Sequence, residues 1–307
     1  MTLAVLLSGQ GGQHPGMFDL TADWPAAAPV FAAAERVLGQ DPRALVRTPG
    51  ADLHGNRTGQ ILCCVAALAG WTLVQAAYPA RTIVAGYSIG DLAAWGCAGR
   101  FDAETILRLA ATRAEAMDAA AGDGAGLAGI RGLPIAAIET LAAAQGCELA
   151  IRNASDSAVI GGPSPALETL CVEALAAGAL RAVVLQVRTP SHTPLLREAS
   201  QRFEAALAEV QPLRPPPGAP RLISGLDGAP VFDVRAGLSK LARQISHTID
   251  WAACLDACRE YGCDTVLELG PGHALATMAR NALPEARVHA LEEFRSASGV
   301  IEWIGGR

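Results

Sequence analysis

The chain has 307 residues, 51% of them hydrophobic, and its 30 acidic against 24 basic side chains give a formal net charge of −6. That length buries a sizeable core as one large domain or two unequal ones. The acidic balance, with only 5% aromatics and no Lys/Arg-dense run, excludes a surface built to track a phosphate backbone, so nucleic acid is not an expected partner.

In chain order, the apolar run LAVLLS has no basic segment before it and ends in the glycine-rich loop GQGGQ at 9–13, so it reads as a first buried strand rather than a leader. No other window holds the roughly 18 unbroken apolar residues of a membrane span, and a cytoplasmic chain with no membrane partner is expected. RTIVAG reads as a second strand, followed by a turn and the alanine-rich segment LAAWGCAG. In FDAETILRLAATRAEAMDAA, Asp102 is placed as an N-cap, and Ile106, Ala110, Arg113 and Met117 recur on one helical face. From 125 to 187 the units shorten into strand, helix, two strands, helix and strand, the order of a ferredoxin-like module.

The last strand of that module is RAVVLQV, after which Thr193 and Pro194 are set to start a helix as N-cap and first residue. LRPPPGAP at 213–220 is a surface connector; RLISG and DTVLELG are further strands, and ARVHAL is edge-like. The alternation predicts an α/β fold, a hydrolase-like core with a mostly parallel sheet plus an inserted ferredoxin-like α+β subdomain. Residues 1–124 and 188–307 would form the large core, and 125–187 the small subdomain. The eight cysteines are too irregular for a disulfide framework. Cys254, Cys258 and Cys263 read as buried reduced thiols rather than zinc ligands, and no metal is expected.

Gly86-Tyr87-Ser88-Ile89-Gly90 lies between strand and helix, the context in which a Gly-x-Ser-x-Gly turn exposes a serine Oγ and brings the Ile89 amide to the same point. A nucleophilic serine needs a base. Of six histidines, His192 follows a strand at the carboxyl edge where open α/β sheets place their crevices, and His273 shares that edge; either could instead cap a helix or pack over a loop. Arg113, on an apolar face, needs a carboxylate, and an Asp or Glu elsewhere in the chain is the plainer source; a substrate carboxylate is the alternative.

These residues resemble the malonyl-CoA:acyl carrier protein transacylase family nearly end to end. GQGGQ is similar to its GQGSQ loop, GYSIGDLAAW to its GHSLGE elbow and RAEAM to its arginine helix. NASDSAVIGG resembles its Asn-containing strand pair, TPSHTPLL its PSH segment, RQISHTIDW its RQL...PVxW segment, and LELGPG its EVGPG. The resemblance implies Ser88 as acylated nucleophile, His192 as base, the Gln10 and Ile89 amides as oxyanion hole, Arg113 as clamp for the malonyl carboxylate, and the Gln244 main-chain carbonyl as orienter of the histidine. Asn153 would play a supporting part, and His273 becomes a structural neighbour.

Several positions depart from the family pattern: Tyr87 stands for His, Asp91 for Glu, Ser8 for Pro, and His247-Thr248 for Asn-Pro. Tyr87 with LAAWGCAG looks like the transacylase subunit of bacterial malonate decarboxylase, which implies malonyl-CoA as donor substrate and no tightly bound cofactor. The partner would be an acyl carrier protein with a phosphopantetheine-type or dephospho-CoA-type thiol, alongside other decarboxylase subunits. The other readings are a fatty-acid-synthesis malonyl transacylase, a patatin-like hydrolase using Ser88 and Asp227, and a catalytically silent scaffold.

Overall fold

The computed structural model describes residues 1–122 and 124–306. In order, β1 (Leu3–Leu7), α1 (Ala28–Leu38), α2 (Pro42–Leu45) and α3 (Asn56–Val74) precede β2 (Thr82–Gly86), α4 (Ile89–Cys97) and α5 (Ala103–Ala120). Then come β3 (Ala125–Arg131), α6 (Ile135–Ala144), β4 (Glu148–Ala154), β5 (Ser157–Pro163), α7 (Ser164–Ala176) and β6 (Arg181–Val184). The chain continues through α8 (Arg197–Ala208), β7 (Arg221–Leu222), α9 (Val234–Arg243), β8 (Ile249–Asp250) and α10 (Trp251–Glu260). It closes with β9 (Thr265–Leu269), α11 (Ala274–Ala282), β10 (Arg287–Ala290) and α12 (Ala297–Ile304).

The first sheet has the order β10-β9-β1-β2-β7, with every pair parallel. A parallel sheet must be covered on both faces, which is why its central strand is continuously apolar. All five residues of β1 are 0% exposed: Leu3, Val5 and Leu7 face the layer of α1, α3, α4, α5 and α8, while Ala4 and Leu6 face α10, α11 and the second sheet. The register keeps Leu7 level with Gly86 and Leu269, so three loops leave one edge together. α3 is the one described helix long and apolar enough to cross a membrane, and 83% of its apolar window is buried inside this core.

The second sheet has the order β6-β3-β5-β4-β8; its first three pairings are antiparallel, and β8 lies parallel to β4. Strand alternation gives it two different faces. Ala128, Ile130, Ala158 and Ile160 pack under α6 and α7, whereas Leu127, Ile151 and Val159 join the core shared with the first sheet.

Three local expectations need correction, and one short strand is additional to them. RAVVLQV is a strand only to Val184; after Leu185 donates to the Leu127 carbonyl the chain leaves the sheet, and Pro190 has no amide to continue a ladder. Thr193 does not cap: its hydroxyl donates to the Pro190 carbonyl at 2.7 Å, a 3-10 turn occupies Pro194–Leu196, and regular helix starts at Arg197. RLISG contributes only Arg221–Leu222. The two-residue β8, within the segment compared above with the family's tryptophan motif, extends the second sheet and was not expected, being too short for any periodicity. The Asp102 N-cap is present, accepting from the Thr105 amide, and the 213–220 connector is mostly exposed. Positions 123 and 307 of the proposed core segments lie outside the described residues.

Candidate active site

Ser88 stands where β2 turns into α4, with φ 56° and ψ −118°. The turn demands glycine on both sides. A Cβ on Gly86 would lie 2.0 Å from the Gly90 carbonyl carbon, and one on Gly90 would lie 2.1 Å from the Leu7 oxygen. His192 also has positive φ, 65°, and among the described residues these two are the only non-glycine positions that do. Such backbone is held by its surroundings; here the His192 amide donates to the Ile245 carbonyl at 2.8 Å.

The fold brings the two residues into contact across 104 positions of sequence: Ser88 Oγ is 2.9 Å from His192 Nε2, and His192 Nδ1 is 2.5 Å from the Gln244 main-chain oxygen. A carbonyl can only accept, so Nδ1 carries the proton and Nε2 presents a lone pair to the serine. Burial, reinforced by the positive charge of Arg113 and opposed by the Gln244 carbonyl, holds the imidazole pKa down to about 3, leaving it neutral at physiological pH. The Ile89 and Gln10 amides, at the head of α4 and in the loop after β1, have no acceptor among the described residues.

Arg113 is 1% exposed on α5, and the expectation of a structural ion pair is overturned: no described acid forms a salt bridge with it. Its Nη1 donates to Gln60 Oε1 at 2.7 Å, and Nε and Nη2 have no partner. Burial lowers its pKa to about 10, so it remains charged. Gln60 went unnoticed in the sequence, though an amide four residues after Asn56 on an otherwise apolar helix was a usable signal; its Nε2 donates to Asn56 Oδ1.

Ser88 and His192 open on a cleft of about 770 Å³ between the carboxyl edge of the first sheet and the second sheet, reaching the exposed Arg131 and Arg181. Asn153 lines the cleft and accepts from the Tyr87 hydroxyl at 3.1 Å, while Tyr87 packs edge-on against Trp251. Arg113 does not line the open cleft, and its charge lies within electrostatic reach of His192. Ser8 donates to the buried Glu268 at 2.7 Å, and Glu268 accepts from the Ala276 amide, tying the loop after β1 to α11.

The remaining sequence readings fall elsewhere. Asp227 is exposed in a turn, paired with Lys240 at 2.6 Å and accepting from the Ala229 amide. It makes no contact with Ser88, whose partner is His192. His273 is exposed at the cleft, and its side chain caps nothing. All eight cysteines are buried and free, and among the described residues no group of three or more metal-binding side chains converges.

A family model described as acyl transferase domain matches residues 5–285. The malonyl CoA-acyl carrier protein transacylase of Salmonella typhimurium is 29% identical over 97% of this chain and 98% of its own. The crystal structure of an acyl-carrier-protein S-malonyltransferase from Burkholderia pseudomallei superposes with a TM-score of 0.90 at 29% identity, covering 98% of this chain and all (100%) of that one. A malonyl-transacylase solved with its type II polyketide acyl-carrier protein gives 0.91 at 27% identity, with 100% of both chains covered.

Proposed function

The chain belongs to the acyl transferase domain family, and on that premise we propose that it moves a malonyl group from malonyl-CoA, through a malonyl-Ser88 ester, to the thiol of an acyl carrier protein. The observation that carries this reading is the conjunction of a Ser88–His192–Gln244 relay with a buried arginine whose Nε and Nη2 await an acceptor.

His192 Nε2 takes the Ser88 proton as Oγ attacks the thioester carbonyl. The Gln10 and Ile89 amides receive the oxyanion, each donor worth roughly 3 to 4 kcal/mol of barrier. His192 then protonates the departing thiolate. A carrier thiol reverses these steps, so turnover is ping-pong, and one thioester forms for each broken, with no cofactor or metal required. The free malonyl carboxylate supplies Arg113 with the bidentate partner the protein lacks. The two sheets bordering the cleft limit the access of water to the ester.

In this reading residues 1–124 and 188–307 are a hydrolase-like core and 125–187 a ferredoxin-like subdomain, supported by the β6-β3-β5-β4 order of its antiparallel strands. The eight unpaired thiols fit a reducing, cytoplasmic setting. The carrier is assigned to a malonate decarboxylase system, with Tyr87 and LAAWGCAG as the supporting residues; a fatty-acid carrier is the alternative.

Intact-protein mass spectrometry tests both levels. Malonyl-CoA should add one malonyl mass to the wild type and none to Ser88→Ala, and the dephospho-CoA-type carrier should discharge the ester faster than a phosphopantetheine carrier. An acylated Ser88→Ala variant refutes the mechanism, and the opposite carrier preference refutes the decarboxylase assignment alone.

A further inference from the structure

Asp91 sits in the first turn of α4, three residues after Ser88, and is 1% exposed. Its amide donates to the Ser88 carbonyl at 3.0 Å. Its Oδ2 accepts from Gln244 Nε2 at 2.9 Å, and Gln244 is the residue whose main-chain oxygen takes the His192 Nδ1 proton. Gln244 is itself 0% exposed and its Oε1 has no hydrogen-bond partner, so the contact with Asp91 is the principal tether of its side chain, while the Asp91 carboxyl is also held by the main chain at Gly225.

An acid here is not what packing asks for. Its neighbours Ile89, Leu92, Ala93 and Ala94 are all buried and apolar, no described cation pairs with it within salt-bridge distance, and a buried carboxyl group is unfavourable unless a partner satisfies it. The main chain at Gly225 closes over it so tightly that a Cβ there would fall 2.9 Å from Asp91 Cγ. Asp91 is thus fixed relative to Ser88 on one side and to the C-cap of α9 on the other.

We propose that Asp91 is a positioning residue for the base: by holding Gln244 it fixes the carbonyl that sets the tautomer and ring orientation of His192, while its own helix turn fixes Ser88. The site therefore contains an acid, acting at one remove through an amide rather than on the imidazole directly. The proposal rests on Ser88 and His192 being the reacting pair.

Three single variants, one double variant and two readouts test it. Gln244→Leu keeps the main-chain carbonyl but loses the Nε2 donor; Asp91→Ala loses the acceptor; Asp91→Asn retains an oxygen that can accept. The first two should each lower kcat for malonyl transfer by on the order of tenfold to a hundredfold, the range known for outer partners that orient an imidazole, with KM for malonyl-CoA little changed. The double variant should be no worse than the poorer single one, because both remove the same tether. Asp91→Asn should retain most of kcat. In ¹⁵N-labelled protein the low-field His192 Nδ1–H resonance should move or broaden in Gln244→Leu and Asp91→Ala, and stay in Asp91→Asn. Wild-type kcat with an unmoved resonance in folded Gln244→Leu overturns the proposal, as does full multiplication of the two losses. Gln244→Leu decides alone if Asp91→Ala does not fold. Acylation of Ser88→Ala would instead overturn the reading of the pair, which keeps the two failures apart.

Discussion

The two sheets of this protein contribute to one cleft in different ways. The parallel sheet is sealed on both faces, and only the ends of its strands touch the cleft, as loops that carry Gln10, Ser88 and the 270–273 turn. The second sheet lines the cleft along its strands, through Leu127, Ile151 and Val159, with Arg131 and Arg181 at its exposed part. Strand ends can be aimed to tenths of an ångström by the register of buried neighbours, whereas a sheet face offers area and shape. One region should therefore govern kcat and the other KM.

The sharpest division is expected at the elbow. Ser88→Ala should lower transfer by at least a thousandfold without loss of stability, since it removes one hydroxyl at a half-buried turn; stopped-flow acylation and thermal melting measure the two effects. His192→Ala should come close to that loss, while Asp227→Asn leaves transfer nearly intact. Reversal of that order would restore the hydrolase-type dyad.

Next in size is acyl selectivity. An acetyl donor leaves Arg113 charged, buried and without an anion, at a cost on the order of 3 to 5 kcal/mol, or roughly a hundredfold to several thousandfold in kcat/KM. Arg113→Ala should collapse the malonyl-to-acetyl ratio. An unchanged ratio would mean that another group reads the carboxylate.

Smaller effects belong to the second sheet. Arg131 and Arg181 are cross-strand neighbours and exposed, and no acid pairs with either among the described residues. Replacing either by Ala should raise KM for the CoA donor roughly threefold to tenfold, leave kcat unchanged, and lose its effect in high salt. A fall in kcat with constant KM would erase the proposed division of labour.

The last expected effect is on stability against pH rather than on turnover. His192 drops from 6.5 to about 3 on folding, so the unfolded chain binds the extra proton, and this residue's contribution to stability, complete above about 6.5, is lost progressively as pH falls from there toward about 3. Asp91, faced by Arg113 and Asp227, rises from 3.8 to about 7 through burial, so the folded chain holds the proton, and stability is lost as pH rises from about 4 toward 7. The two slopes oppose each other. Urea midpoints of Asp91→Asn between pH 4.5 and 6 should rise with pH more steeply than those of the wild type, and those of His192→Ala less steeply. Parallel curves would show that neither group titrates as its burial implies.

Much of the site is legible in the sequence where the backbone imposes a residue type. Gly86 and Gly90 are required by near-contact of β2, α4 and the end of β1, and the buried Arg113 is signalled by its place on an apolar helical face. The role of Gln244 could not be read from its chemistry, because it reaches His192 with a main-chain oxygen any residue would provide. Its link to Asp91 joins positions 153 apart with no local pattern to report it. The fold was legible in its alternation of strands and helices, while β8 and the early end of β6 were not, being set by tertiary pairing over two to four residues.

The positive φ angles of Ser88 and His192 have a consequence for stability. Each holds a side chain in a backbone region that glycine enters freely, at a cost of order 1 to 3 kcal/mol. At Ser88, a small half-buried side chain, glycine would relax the backbone at little cost in packing, whereas at His192 the buried, hydrogen-bonded ring would be lost as well and would offset the relief. The strain at 88 is therefore carried against stability, in return for an Oγ that the turn delivers to within 2.9 Å of His192 Nε2.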